Sequence, residues 1–211
     1  MLTLDDARQW YPEFDPVHGF DHIERVYHLC KRISNIEGAD AEIVLTAALL
    51  HDCQGSAPDG AERLNHHIVS AEFAEEVLKA ESWKEERIKA VQHCIRAHRF
   101  RNNGDEPATL EAKVLFDADK LDVIGAIGAA RTIGYAIKAG QPTFAEPSEQ
   151  FKQTGQEQPG EAHSAYHEYL FKLRKIASGL YTPTGRRMAE ERQRFLNQFF
   201  DELAAECRAE R

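Results

Sequence analysis

The sequence has no close pair of cysteines: Cys30, Cys53, Cys94 and Cys207 stand far apart and form no Cys-x-x-Cys. That spacing excludes a zinc ribbon and a disulfide framework, and it reads as reduced thiols in a cytoplasmic protein. No apolar run reaches about 20 residues, the length of a bilayer span, so no membrane partner is expected. The N-terminal stretch MLTLDDARQWYPEFD lacks the basic flank and apolar core of a secretory signal. Basic charge is scarce: 26 Lys and Arg against 35 Asp and Glu give a formal net charge of -9. A broad nucleic-acid surface is therefore excluded, but a small anionic substrate is not, because a metal or a few cations can dominate one cleft. Glycine-rich phosphate loops of the P-loop kind, internal repeats and period-2 strand patterns are also missing.

Helix signals fill the space that these absences leave. The chain of 211 residues, 42% hydrophobic and 29% charged, suits a single domain over 1–211 with an ample core. GFDHIERVYHLCKRISNIEG carries Ile23, Val26, Tyr27, Cys30 and Ile33 on a helical stripe and stops at Gly38. Asp40 can cap the next helix, AEIVLTAALLHDC. Turn signals at Pro58, Asp59 and Gly60 precede a third helix, HHIVSAEFAEEVLKA, whose apolar positions are read as Ile68, Ala71, Val77 and Leu78. Ser82 is expected to cap a fourth, WKEERIKAVQHCIRAHRF. The run TLEAKVLFDADKLDVIGAIGAARTIGYAI is apolar around most of its circumference, which predicts one buried central helix, with Gly125 and Gly128 letting a neighbour pack close. A segment rich in Pro, Gly, Gln and Glu over about 140–162 reads as a mobile loop. Helices over about 163–208 close an all-α chain.

Histidine is the anomaly, with ten along the chain. In LTAALLHDCQG a histidine stands beside an aspartate at the end of an apolar helix, an arrangement that gains nothing unless something binds both. Divalent ions take imidazole and carboxylate ligands converging from different elements. The candidates are His22, His51, Asp52 and Asp119, spread over three helices. Asp119 sits in an apolar helix, where an unpartnered carboxylate is costly. At about 100° per residue, Asp117 and Asp119 face nearly opposite ways, so one ion cannot take both. Asp122, three residues after Asp119, reads as an outer partner, and Asp117, four after Lys113, as a helix-surface pair.

With FDHIERV, LLHDC and DADKLDVIG in place, the sequence resembles the HD-domain family of metal-dependent phosphohydrolases over roughly 18–135. The C-terminal TPTGRRMAEERQRFLNQFF resembles the tail of a small bacterial branch. The resemblance implies an HD-type helical bundle with a C-terminal helical extension. It also implies a divalent ion (Mn, Mg, Co, Ni or Fe), with a second ion in some branches, that acidifies a bound water and polarises a phosphoryl group. It further implies His22, His51, Asp52 and Asp119 as ligands, Asp52 also acting in catalysis, and His67 and His98 as residues that bind substrate or a second ion. His66 and His93 are weaker candidates. Phosphate oxygens need cations, for which Arg25 and Lys120 are the choices in both binding and catalysis, with Arg96, Arg99 and Arg131 as further candidates. Gln54 and Gly55 follow the His-Asp pair where a nucleotidase-like branch carries a glutamate, so that branch's acid/base assignment is not transferred. The implied substrate is a small phosphorylated metabolite, a nucleotide first, through nucleoside triphosphate pyrophosphohydrolase chemistry. Alternatives are a nucleoside monophosphate phosphatase, a non-catalytic nucleotide sensor and a di-iron oxygenase of related fold; a homo-oligomer is left open.

Overall fold

A computed structural model of the chain describes residues 2–11, 19–54, 64–99 and 104–211. The turn expected at Pro58, Asp59 and Gly60 lies outside the described residues. The fold is all-α, with no strand among the described residues. Among the described residues ten α-helices follow in order: α1 (Leu4–Arg8), α2 (Phe20–Glu37), α3 (Ala41–Leu50), α4 (His66–Ala80), α5 (Glu85–Ala97), α6 (Leu110–Leu121), α7 (Gly125–Lys138), α8 (Glu149–Thr154), α9 (Ala165–Phe171) and α10 (Pro183–Cys207). A 3-10 turn over Leu173–Gly179 lies between the last two. No helix among the described residues is long and apolar enough to cross a membrane.

The chain divides into two compact units, Met1–Asp119 with Tyr181–Gly185, and Lys120–Leu180 with Arg186–Arg211. In the first, α3 is the central helix: every residue from Ile43 to Leu50 is buried, and it packs against α1, α2, α4 and α5. Asp40 caps it as expected, accepting from the Glu42 and Ile43 amides at 3.0 and 3.2 Å. Arg87 of α5 clamps that cap, donating to Asp40 at 2.8 Å and to Glu42 at 2.7 Å.

Ser82 does not cap α5. It closes α4 in the left-handed region, at φ 58°, while the Trp83 amide reaches back to the Leu78 carbonyl at 3.0 Å. That is the six-to-one bond of a helix ending in a left-handed residue.

The run expected to form one central helix is two, α6 and α7, broken at Asp122–Ile124. Gly125 takes φ +77°, and a Cβ on Gly128 would lie 2.3 Å from the Val123 carbonyl oxygen. The glycines therefore admit a tight turn of the chain itself, and Gly125 also lets α10 approach, with Arg192 Cβ 3.1 Å from where its own would be. Asp117 is no surface pair: it is fully buried and accepts from the Tyr181 amide (2.9 Å) and from the Thr182 amide and hydroxyl (both 2.7 Å).

The second unit gives the 140–162 segment more order than its composition suggests. Helix α8 forms within it, and Glu161 collects the Ser148 amide and hydroxyl and the Gln158 amide, each at 2.7 Å, with His167 Nε2 at 3.1 Å. Those donors hold the Glu161 carboxyl down at about 2, the backbone amide of Gln158 contributing most. Tyr169 stacks on Phe200 of α10, ring centroids 4.5 Å apart.

Candidate metal centre

The last turn of α3 exposes carbonyls that the helix itself cannot satisfy. Tyr11 donates its hydroxyl to Leu49 at 2.8 Å, and Cys53 donates its thiol to Leu50 at 3.0 Å. His51 takes the third, its Nδ1 lying 2.9 Å from the Ala48 carbonyl. A carbonyl only accepts, so Nδ1 carries the proton and Nε2 presents a lone pair. That Nε2 is fully buried with no hydrogen-bond partner. Burial first, then the neighbouring His98 and His22, push the His51 pKa down to about 4 against the pull of Asp52 and Asp119. The imidazole is therefore neutral at physiological pH.

His22, in the first turn of α2, and Asp119, near the end of α6, complete a cluster with it. His22 Nε2 stands 3.5 Å from Asp119 Oδ1 and 3.9 Å from Asp52 Oδ2, and His51 Nε2 stands 3.8 Å from the same Asp52 oxygen. Ligand atoms at about 2.1 Å from a common ion lie about 3.0–3.5 Å apart, so a contraction of a few tenths of an ångström would seat one. An unpartnered buried polar atom costs about 1–3 kcal/mol, which His51 Nε2 would recover by ligation. The negative C-terminal end of α3 also favours a cation there. The residues fit a divalent ion.

A second cluster shares Asp52. Its Oδ1 lies 3.2 Å from His66 Nε2 and 3.5 Å from His98 Nε2. His98 repeats the arrangement of His51: it ends α5 and sets Nδ1 2.6 Å from the Ile95 carbonyl, leaving Nε2 bare toward Asp52. Burial alone would raise the Asp52 carboxyl, but the imidazoles of His51, His66 and His98 hold it well below the ordinary carboxylate range. Behind the pair, the Gln54 amide and carbonyl both bond the Ser70 hydroxyl, at 3.1 and 3.2 Å, tying the turn after Asp52 to α4.

The structure thus brings His22, His51, Asp52, Asp119 and His98 together. It brings in His66 rather than His67, which is half-buried beside it with an unpartnered Nδ1 and a pKa lowered to about 4, chiefly by burial. A signal for His66 was present: it shares an i, i+4 face with Ser70, Ala74 and Leu78, all buried, whereas Ile68 is exposed. Asp122 is buried and pairs with Arg131 at 2.6 Å. Arg25 pairs with Asp21 at 2.5 Å, Arg96 with Asp105 at 2.7 Å, and Lys120 is half-buried in the last turn of α6. His93 lies outside both clusters and accepts from the Ala108 amide at 3.3 Å.

Residues 19–124, which hold this geometry, match the family model of the HD domain. YpgQ of Bacillus subtilis is 33% identical over 189 residues, covering 88% of this chain and 82% of its own. The chain belongs to the HD-domain family. The crystal structure of B. subtilis YpgQ in complex with ADP superposes on this HD domain with a TM-score of 0.71 at 29% identity, over 97% of both chains. An HD-superfamily hydrolase from Bacillus thuringiensis gives a TM-score of 0.68 at 25% identity, over 98% of this chain and 95% of its own. HD domains bind divalent metal, and this one offers ligands in the two His/Asp clusters joined at Asp52.

Proposed function

We propose that this HD domain is a metal-dependent phosphohydrolase acting on a nucleotide, and that it releases pyrophosphate from nucleoside triphosphates. The observation that carries the reading is the buried, unpartnered Nε2 of His51 aimed among His22, Asp52 and Asp119. The nucleotide class draws support from YpgQ, a relative whose crystal structure holds ADP. His22, His51, Asp52 and Asp119 would hold one divalent ion, which when bound would supply a Lewis acid that acidifies water and polarises phosphorus.

The chain's own part is orientation. Burial keeps His51 neutral and its one proton is committed to Ala48, so Nε2 remains a ligand down to mildly acidic pH. Asp52 turns one oxygen to His22 and His51 and the other to His66 and His98. With its pKa held low, that second oxygen orients the attacking water by accepting its hydrogen bond and does not keep its proton. Arg25 would exchange Asp21 for a phosphate oxygen, and Lys120 and His67 are the other substrate contacts in this reading, while His98, whose proton goes to Ile95, lines the same pocket beside Asp52.

Phosphate and pyrophosphate release from a nucleotide panel, with stripped protein resupplied by Mn²⁺, Mg²⁺, Co²⁺ or Ni²⁺, tests the proposal. Pyrophosphate from triphosphates supports it, and orthophosphate from monophosphates replaces it with the phosphatase reading. The cluster of Asp52, His66 and His98 favours a second reading, redox chemistry at two irons. Oxygen consumption by the iron-loaded protein, with no hydrolysis of the panel, would select that one.

A further inference from the structure

His66 differs from the other two buried imidazoles in what its Nδ1 faces. His51 and His98 turn Nδ1 to backbone carbonyls, at 2.9 Å from Ala48 and 2.6 Å from Ile95. His66 turns Nδ1 to the guanidinium of Arg99, 3.0 Å away. A guanidinium has five donors and no acceptor, and it does not lose its charge in a protein. Nδ1 of His66 must therefore accept, which places the imidazole proton on Nε2. That N–H faces Asp52 Oδ1, 3.2 Å away, and His98 Nε2, 3.3 Å away, the second nitrogen of a ring whose proton is committed to Ile95. Arg99 thus donates to His66, His66 presents its N–H to Asp52 and His98, and His98 donates to Ile95.

The consequence falls on the second cluster. Three ligand atoms meet there within 4.8 Å, yet one of them is a nitrogen carrying hydrogen and cannot coordinate. We infer that Arg99 is a positioning residue that keeps this HD domain at one metal ion per chain. It does so by holding His66 as an N–H donor, the form that bonds a phosphoryl oxygen beside Asp52, and by denying a second ion its third ligand. The inference rests on the proposed phosphohydrolase reading, and it weighs against redox chemistry at two irons.

Metal stoichiometry separates the two. The wild-type protein, Arg99→Leu and Arg99→Gln are loaded with Mn²⁺, cleared of loosely held ion and assayed for bound manganese. Circular dichroism reports whether each variant is folded. Leucine removes the obligate donor, and glutamine, which can turn its carbonyl to His66, allows Nδ1 to take the proton. We expect about one ion per wild-type chain and about two in either folded variant, since neutral imidazole with a bare Nε2 is a ligand. Electron paramagnetic resonance should change from an isolated Mn²⁺ signal to that of a spin-coupled pair, a readout that a merely structural role for Arg99 would not move. Two ions in the wild-type chain overturn the inference, as does one ion in both variants. Manganese missing altogether from the wild type would instead sink the metal-centre reading on which it stands.

Discussion

His51 gives its single proton to Ala48, and that assignment decides what its other nitrogen can do. His51→Ala removes a ligand while leaving a small helix-compatible residue at the end of α3. The variant should lose bound metal and hydrolysis by a factor on the order of 10³, with its helical content unchanged by circular dichroism. Asp117 shows the opposite kind of buried carboxylate. Asp117→Ala would strand the two amides and one hydroxyl that bond it, and buried donors cost about 1–3 kcal/mol each. A loss of about 3 kcal/mol or more in urea unfolding, with metal stoichiometry retained by the folded fraction, is the expected result. His51 and Asp52 stand out in the sequence because an adjacent His-Asp on an apolar helix has no use in packing, and the structure buries both imidazole nitrogens of His51 beside Asp52. The sequence could not make Asp117 readable, since its partners at Tyr181 and Thr182 are remote in the chain. His66 and His67 were separable only through the buried small residues Ser70 and Ala74, a weaker signal than the apolar Ile68 that turned out to be exposed.

The helices repeat the lesson at a larger scale. Those with a cap or a left-handed glycine at their ends, such as α2 stopping at Gly38 and α3 starting after Asp40, were legible. The break between α6 and α7 was not, because apolar residues continue through Leu121, Val123 and Ile124 and only the backbone of Gly125 reveals the turn. Gly125→Ala places a Cβ on a residue at φ +77°, 3.1 Å from Arg192 Cβ. It should destabilise the protein by about 1–2 kcal/mol, measured as a shift of the denaturation midpoint. Gly128→Ala should cost more, because the atom in its way is the Val123 carbonyl oxygen, which cannot turn aside.

For the molecule as a whole, metal and pH should act on stability through the same imidazole. His51 has its pKa lowered from 6.5 to about 4, so between those values the unfolded chain binds the extra proton and the folded chain does not. The metal-stripped protein should therefore be most stable above about 6.5, with stability falling as pH drops toward about 4, as read from urea midpoints. A divalent ion that binds only the folded chain adds to this. At a concentration about 100 times its Kd it should raise the unfolding free energy by about 2.7 kcal/mol, and His51→Ala should abolish that gain.

The unit that contains the candidate metal centre is discontinuous: Met1–Asp119 is joined by Tyr181–Gly185, whose amides satisfy Asp117 two residues before the proposed ligand Asp119. The order of synthesis follows from this. All four proposed ligands leave the ribosome before the donors that make the neighbouring buried carboxylate tolerable, so the centre should mature only after residues 181–185 are made. A chain stopped after residue 135 carries every ligand, yet it should fail to retain manganese until residues 181–185 are restored.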